Sequence, residues 1–195
     1  MLGGVRLRLL LAALAAVALV SLLAGTAQAG GGGTDTALLE TLYQGGACGP
    51  AALNTYPADL CDAPFPSTTY RDQWGFTDRY CGSYAAWMVA SEGDQPPEFA
   101  ADGFPGYWPE HVPASWIVAT PKAGDIAVIP SISTMPRGHA LYVISGNWHH
   151  DTGDLLVSAY NTDGEGDFSL AVWAPGGEYD GVPFSLVYIQ FPKAG

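Results

Sequence analysis

The sequence predicts an α+β fold in which N-terminal helices pack on one side of an antiparallel β-sheet. Apolar residues recur at helical spacing in two segments of the first half, residues 36–44 and the segment that follows Cys81. From Lys122 onwards, short apolar runs alternate with turn residues, which is the pattern of antiparallel strands. Helices followed by a strand meander are typical of the α+β class.

Residues 1–29 have the features of a secretory signal peptide. Arg6 and Arg8 form a short basic region, residues 9–24 are almost continuously apolar, and Ala-Gln-Ala at 27–29 fits a small-x-small cleavage site, so we place cleavage after Ala29. The alternative is an uncleaved N-terminal anchor. The apolar run is short for a membrane span, however, and no Lys or Arg follows it closely. We therefore expect a secreted protein, extracellular or associated with the cell wall, without stable membrane insertion after cleavage.

The chain that remains after cleavage is strongly acidic. Five Lys and Arg stand against 19 Asp and Glu, which is a net charge of about −14. Such a surface argues against nucleic acid and anionic lipid as partners, because both are themselves negatively charged. We interpret the charge as a source of solubility and expect a monomer.

Residues 30–69 are predicted to form an N-terminal extension. It begins with a Gly-rich stretch at 30–35, followed by the predicted helix at 36–44, which Gly45 and Gly46 would end. The domain proper is predicted to span residues 70–195. Within it, strands are expected at 125–129, 139–144, 155–160, 168–173 and 185–191.

The predicted mature chain has three cysteines, Cys48, Cys61 and Cys81. An odd number leaves one cysteine unpaired or paired between chains. Cys48 and Cys61 both lie in loop-like sequence, and joining them closes a short loop, worth roughly 3 kcal/mol in the chain-entropy model. Cys81 instead opens an amphipathic helix, so this context favours a Cys48–Cys61 disulfide and a free Cys81.

Cys81 has the context of a nucleophile. A polar, aromatic loop precedes it and a helix follows, so the positive end of the helix dipole favours its thiolate. The competing interpretation is a buried structural cysteine. A cysteine nucleophile also needs a base. His139 opens a predicted strand, whereas His111 lies in a Pro-rich loop and His149 and His150 lie in a turn; His139 is therefore the best candidate by position.

Four segments, in order, resemble the CHAP family of cysteine, histidine-dependent amidohydrolases and peptidases. Residues 74–87 (WGFTDRYCGSYAAW) resemble its nucleophile region, and residues 124–143 are similar to its histidine region. Residues 158–161 (SAYN) lie where the family places a polar third residue, and residues 187–191 are similar to its last strand. The resemblance implies a papain-like α+β fold and amide hydrolysis, usually in bacterial peptidoglycan, with no cofactor.

The resemblance also implies residue roles. Cys81 would be the nucleophile, His139 the base, and Asn161 the group that orients the imidazole through its side-chain oxygen. The family commonly has a Glu two residues before this Asn, where the chain has Ala159. Asp163 in the next turn is an alternative orienting group, and weakened catalysis is another outcome. The oxyanion hole would combine the backbone N–H of Cys81 with a donor from the preceding loop, for which Gln73 is the candidate.

Two acidic or histidine-containing segments have some features of metal sites, and neither is assigned as one. The loop at 163–167 begins like a calcium loop but lacks the glycine and the closing Glu of that motif. His149, His150 and Asp151 are adjacent in sequence, so their side chains would point in different directions on a strand. We expect no metal.

The leading hypothesis is a secreted cysteine amidase or endopeptidase that cleaves peptidoglycan or a similar peptide-like polymer through a thioester acyl-enzyme. Because Ala159 replaces the family's Glu, a catalytically weak or inactive binding module of the cell surface is the alternative. A third hypothesis is an exported interaction protein in which Cys81 forms an intermolecular disulfide.

Overall fold

The structure is a computed structural model that describes residues 36–49, 54–66, 69–96, 104–162 and 164–195. The predicted signal peptide at 1–29, the Gly-rich stretch at 30–35 and the alternative orienting residue Asp163 lie outside these ranges. No helix in the described ranges is both long and apolar enough to cross a membrane.

Nine strands and three α-helices are found in the described parts of the chain. The strands are β1 (Leu38–Gln44), β2 (Ile117–Val118), β3 (Ile126–Ile129), β4 (His139–His149), β5 (Asp154–Tyr160), β6 (Phe168–Trp173), β7 (Gly176–Tyr179), β8 (Val182–Ser185) and β9 (Val187–Ile189). The α-helices are α1 (Ala58–Cys61), α2 (Cys81–Ser91) and α3 (Trp108–His111), with single 3-10 turns at Pro105–Tyr107 and Ala114–Trp116.

Seven strands form one antiparallel sheet in the order β1-β6-β5-β4-β3-β9-β2. The centre of this sheet, β3 to β6, is a meander, because each strand pairs with the next one along the chain. β1 extends one edge beside β6, and β9 and β2 extend the other. β7 and β8 form a separate two-stranded hairpin.

The predicted α+β class with N-terminal helices packed on a sheet is wrong. Of the described residues, 37% lie in strands or bridges and 17% in helices, and the three α-helices are short. The protein is therefore mostly antiparallel β, and the papain-like α+β expectation is corrected with it.

The main error concerns the predicted helix at residues 36–44, where the chain forms the edge strand β1 (Leu38–Gln44). A nine-residue helix is marginal by itself, whereas an edge strand obtains backbone hydrogen bonds from β6 along one side. The pairing is irregular between Leu38 and Glu40 and between Thr41 and Tyr43. Such bulges change the alternation of the strand. Adjacent Leu42 and Tyr43 consequently both pack on the same core cluster, a pattern that resembles helical spacing in the sequence.

Helix α2 begins at Cys81 and lies on one face of the sheet. Its buried residues include Tyr84, Ala85 and Val89, which pack with the inward residues of β4, β5 and β6. The Tyr84 hydroxyl is 2.8 Å from Oγ of Ser158, a residue of β5, so a hydrogen bond supports this packing. The helix ends at Ser91, where Gly93 turns the chain with φ +75°.

The opposite face of the sheet has its own core. Strand alternation directs residues such as Leu141, Val157 and Trp173 to this side, where Phe184 of β8 covers them. The strands β3, β5 and β6 are buried along both faces. The central strands therefore provide a rigid support for the side chains at their ends.

Candidate functional site

Cys81 is the first residue of α2 and is 6% exposed. Its sulfur faces the backbone N–H groups of Ala140 and Gly82, which favour a thiolate. Burial has the larger effect, however, and it raises the pKa of the Cys81 thiol to about 11. The resting cysteine is therefore a neutral thiol. It is the free cysteine of the structure, because Cys48 and Cys61 form a disulfide.

His139 is the first residue of β4 and is 7% exposed. Burial lowers the pKa of its imidazole to about 4, so the ring is neutral at pH 7. Gly138 precedes it with φ +59°, and a Cβ there would lie 2.3 Å from both the Cα of Gly106 and the carbonyl oxygen of Ile129. Only glycine fits this position, and the close approach seats the Pro105–Tyr107 turn beside the start of β4.

Backbone contacts place Cys81 and His139 at the same end of β4. The sulfur of Cys81 faces the N–H of Ala140, and Ala140 directly follows His139. Burial favours the neutral form of both groups, so the resting site has a thiol and a neutral imidazole. The Cys81 sulfur contacts backbone N–H groups and the His139 ring contacts Thr162, and no hydrogen bond joins these two described side chains.

Asn161 follows β5, as predicted, but its side chain is used elsewhere. Its backbone has a φ of +62°, and its Oδ1 accepts a hydrogen bond of 2.9 Å from the N–H of Gly166. Its own N–H donates to the carbonyl oxygen of Asp167. Asn161 therefore shapes the turn between β5 and β6, and this is a common structural role of Asn in the left-handed region.

Thr162 contacts the histidine ring. Its Oγ1 is 3.4 Å from Nε2 of His139 and 3.0 Å from Oγ of Ser169. Ser169 lies on β6 and donates in turn to the carbonyl oxygen of Ala159, at 3.4 Å. Neither hydroxyl residue was predicted, because no local pattern distinguishes a turn threonine or a strand serine that contacts a distant histidine.

Ala159 lies at the position where the CHAP family commonly has a Glu, and it is buried in this fold. Ala159 is 1% exposed and belongs to the core on the face of the sheet opposite α2, together with Leu155 and Val157. An ionised carboxylate at this position would lose its hydration, which costs several kcal/mol unless it is paired. The small apolar residue therefore suits its surroundings.

Asp72 organises the loop that leads to Cys81. Its Oδ1 accepts hydrogen bonds from the N–H groups of Trp74 (3.0 Å) and Phe76 (2.9 Å), and its Oδ2 accepts one of 2.6 Å from the Ser83 hydroxyl. Ser83 lies in the first turn of α2, so this carboxylate joins the loop to the helix. Gln73, the predicted oxyanion residue, is exposed, and no hydrogen bond joins its side chain to another described residue.

Arg79 holds the turn that carries Thr162. The residue has φ +61° and its side chain is 14% exposed. Its guanidinium contacts the carbonyl oxygens of Gly166 (3.0 Å), Ala63 (3.1 Å) and Glu165 (3.3 Å), the carboxylate of Asp167 (3.2 Å) and the ring of Phe65 (5.1 Å to its centroid). Arg79 thereby connects the loop before Cys81 to the turn after β5 and to the N-terminal extension.

His149 and His150 belong to a different part of the molecule from His139. His149 ends the strand, ten residues after His139, which corresponds to roughly 30 Å along an extended chain. Its Nδ1 is 3.0 Å from Oδ2 of Asp154, and His150 bonds to Asn147. Both therefore stabilise the turn between β4 and β5.

One group of His, Cys, Asp and Glu side chains within the described ranges has its ligand atoms close enough together for a metal ion. It consists of Cys48, Cys61 and Asp62. The two sulfurs are joined in the disulfide, so they are not thiolates and do not form a ligand set.

Comparison with protein-family models, with curated proteins and with solved structures gives no significant match to this chain.

Proposed function

We propose that this protein is a secreted cysteine amidase or endopeptidase that cleaves amide bonds in bacterial peptidoglycan or a similar peptide-like polymer. The observation that carries the proposal is the position of Cys81. It is a free cysteine at the N-terminus of a helix, and its sulfur faces the backbone beside a buried histidine. The CHAP-like motifs in the sequence support the same assignment.

The proposed reaction uses general-base attack by a neutral thiol. His139 accepts the thiol proton as the sulfur adds to the substrate carbonyl, and it then protonates the leaving amine. This gives a thioester, which water hydrolyses. The first-turn N–H groups of α2 provide hydrogen-bond donors close to Cys81, where negative charge develops on the carbonyl oxygen.

The location and the substrate class rest on sequence and charge. The N-terminal 29 residues have the pattern of an export signal, and the Cys48–Cys61 disulfide is compatible with an oxidising compartment. The strongly negative net charge argues against nucleic acid and anionic lipid as partners, and it gives no electrostatic help towards an anionic wall polymer.

The experiment is fragment analysis of purified, insoluble peptidoglycan by mass spectrometry after incubation with the protein. We expect new soluble fragments from the unmodified chain and none from Cys81→Ala, with both proteins equally folded by circular dichroism. Cys48→Ala/Cys61→Ala is a matched cysteine control, and it should release the same fragments at a temperature where it remains folded. Fragment release by Cys81→Ala would contradict the proposal.

A binding module is the second candidate, and a specific observation favours it. Cys81 and His139 are both buried and neutral, and Asn161 bonds within its own turn. In this case the wild type and Cys81→Ala would co-sediment equally with insoluble peptidoglycan, and neither would release fragments.

The third hypothesis, an intermolecular disulfide through Cys81, requires an accessible sulfur, whereas this residue is 6% exposed.

A further inference from the structure

Two hydroxyl groups and one backbone carbonyl group form a series of contacts that leads from the His139 ring into the sheet. Nε2 of His139 is 3.4 Å from Oγ1 of Thr162, Thr162 Oγ1 is 3.0 Å from Oγ of Ser169, and Ser169 Oγ is 3.4 Å from the carbonyl oxygen of Ala159. The last oxygen is an acceptor only. A bond from the Ser169 hydroxyl to this oxygen would therefore fix the direction of the other two bonds.

Each hydroxyl has one proton, so the directions can be assigned in turn. If Ser169 donates to the carbonyl of Ala159, its oxygen accepts the proton of Thr162. The Thr162 oxygen is then left as an acceptor for an N–H on the ring of His139. The reverse arrangement, in which Thr162 donates to the ring, leaves the Ser169 proton for Thr162 and forms no bond to Ala159. The first arrangement makes three hydrogen bonds and the second makes two.

We propose that Thr162 is the positioning residue of His139, and that through Ser169 it holds the ring as the Nε2–H tautomer with Nδ1 as the proton acceptor. Thr162 thus takes the role that the CHAP-like motif implied for Asn161. The Asn161 side chain supports Thr162 indirectly, because its bond to Gly166 closes the turn in which Thr162 lies.

The consequence for the reaction rests on the proposed function. As the Cys81 sulfur forms its bond to the substrate carbonyl carbon, the carbonyl electron pair moves to oxygen and the thiol proton moves to Nδ1. When the intermediate collapses, the C–N bond breaks and the Nδ1 proton goes to the leaving nitrogen. Nε2–H remains bonded to Thr162 throughout, so the hydroxyl stabilises the imidazolium without receiving a proton.

The test is the tautomer of His139, observed by long-range nitrogen–proton correlation NMR on the full chain with labelled histidine. The His139 signals are identified by their loss in His139→Gln. We expect the Nε2–H tautomer in the wild type and in Thr162→Ser, which keeps the hydroxyl. Thr162→Val has the same shape without the hydroxyl, and it should give a mixture of the two tautomers.

Ser169→Ala is the second variant, and it keeps Thr162 in place. Without the Ser169 oxygen, the Thr162 proton can turn towards Nε2, so the Nδ1–H tautomer should increase. A wild type with the Nδ1–H tautomer, or a ring unaffected by both Thr162→Val and Ser169→Ala, would overturn the proposal. These spectra need no substrate, so their outcome is separate from the peptidoglycan experiment.

Reactivity provides a second readout. The alkylation rate of Cys81 by a small thiol reagent at pH 7 should fall about five- to tenfold in Thr162→Val, the loss that corresponds to one neutral hydrogen bond. Thr162→Ser should restore the rate to within about twofold of the wild type on the same scale. A purely structural role would lower the melting temperature of Thr162→Val and leave the Cys81 rate of the folded protein unchanged, and that result would contradict the proposal.

Discussion

Arg79 and Asp167 form an ion pair of 3.2 Å that joins the loop before Cys81 to the turn after strand β5. Asp167 is adjacent to Gly166, whose carbonyl oxygen accepts a second bond from the same guanidinium. The candidate nucleophile and the turn that contacts the candidate base are therefore linked by one side chain, although the two segments are more than 80 residues apart in the sequence.

Arg79→Lys should destabilise the protein, because one ammonium group does not reproduce the fork of bonds to three carbonyl oxygens and a carboxylate. We expect a loss of about 2–3 kcal/mol in the free energy of unfolding, measured by urea titration. Arg71→Lys is the matched control, since Arg71 is exposed and, among the described residues, its side chain donates one hydrogen bond, to the carbonyl oxygen of Gly75. That change should cost less than about 0.5 kcal/mol. Equal losses in the two variants would contradict this prediction.

Asp72→Asn should disturb the loop before Cys81. The carboxylate accepts three hydrogen bonds, and an amide NH₂ group in place of Oδ2 would face the Ser83 hydroxyl, which could then donate only to the Tyr56 hydroxyl. We expect a loss of about 2 kcal/mol of stability for Asp72→Asn and about 1 kcal/mol for Ser83→Ala. Urea unfolding of both single variants and the double variant measures the coupling, which should be at least about 0.5 kcal/mol. Strictly additive losses would show that the bond contributes little.

Gly138→Ala should be one of the most damaging single changes in the described chain. An alanine at φ +59° is strained by about 1 kcal/mol, and its Cβ would overlap the backbone of Gly106 and Ile129. We expect a total loss of about 3 kcal/mol or more. Gly181→Ala is the control, because Gly181 has φ +76° and no atom within 4 Å of an added Cβ. It should lose only about 1 kcal/mol, and melting curves of both variants would test the difference.

The buried histidine should make stability depend on pH. The folded-state pKa of His139 is lowered by burial to about 4, below its ordinary value of 6.5. The unfolded chain therefore takes up this proton first, and the contribution of His139 is present above pH 6.5 and lost as the pH falls towards 4. Relative to the wild type, His139→Gln should gain up to about 3 kcal/mol between pH 7 and pH 4. A constant difference across this range would contradict the assignment of a buried neutral ring.

Asp78 should have the opposite dependence. Burial raises the pKa of its carboxyl to about 6, with a further contribution from the charges of Asp72 and Asp59, and its buried Oδ1 has no hydrogen-bond partner among the described residues. Its contribution is greatest below the unfolded pKa of 3.8 and is lost as the pH rises through 6. Asp78→Asn should therefore be more stable than the wild type at pH 7, and urea titrations should show this advantage disappearing near pH 4. A constant advantage would contradict the raised pKa.

Several elements follow directly from local sequence. The helix after Cys81 is present as α2, and apolar runs mark β3, β5 and β6 within about one residue of their bounds. These segments are predictable because they are buried on one or both faces, so their apolar pattern reflects the strand or helix itself. The prediction for β4 ended at residue 144, whereas the strand continues to His149. Its outer half is only partly buried, so no apolar pattern marks it in the sequence.

The edge strands were less predictable. β1 has the apolar spacing of a helix, and β2, with two residues, is too short to have a period. The predicted final strand is divided into β8 and β9, because Leu186 lies between the separate hairpin and the main sheet. Whether such a segment is a strand depends on the neighbour that completes its hydrogen bonds, and this neighbour is distant in the chain.

Taken alone, the sequence determined the free cysteine, its position at the start of a helix, and the histidine that opens a strand after a glycine. Cysteine number, helix formers and apolar periodicity are local properties, and they are sufficient for these assignments. The tertiary structure decided the fold class, the neutral state of the buried thiol and imidazole, and the choice of Thr162 over Asn161 as the partner of His139. Burial and hydrogen-bond direction depend on segments that meet only when the sheet has formed, so they cannot be read from neighbours in the chain.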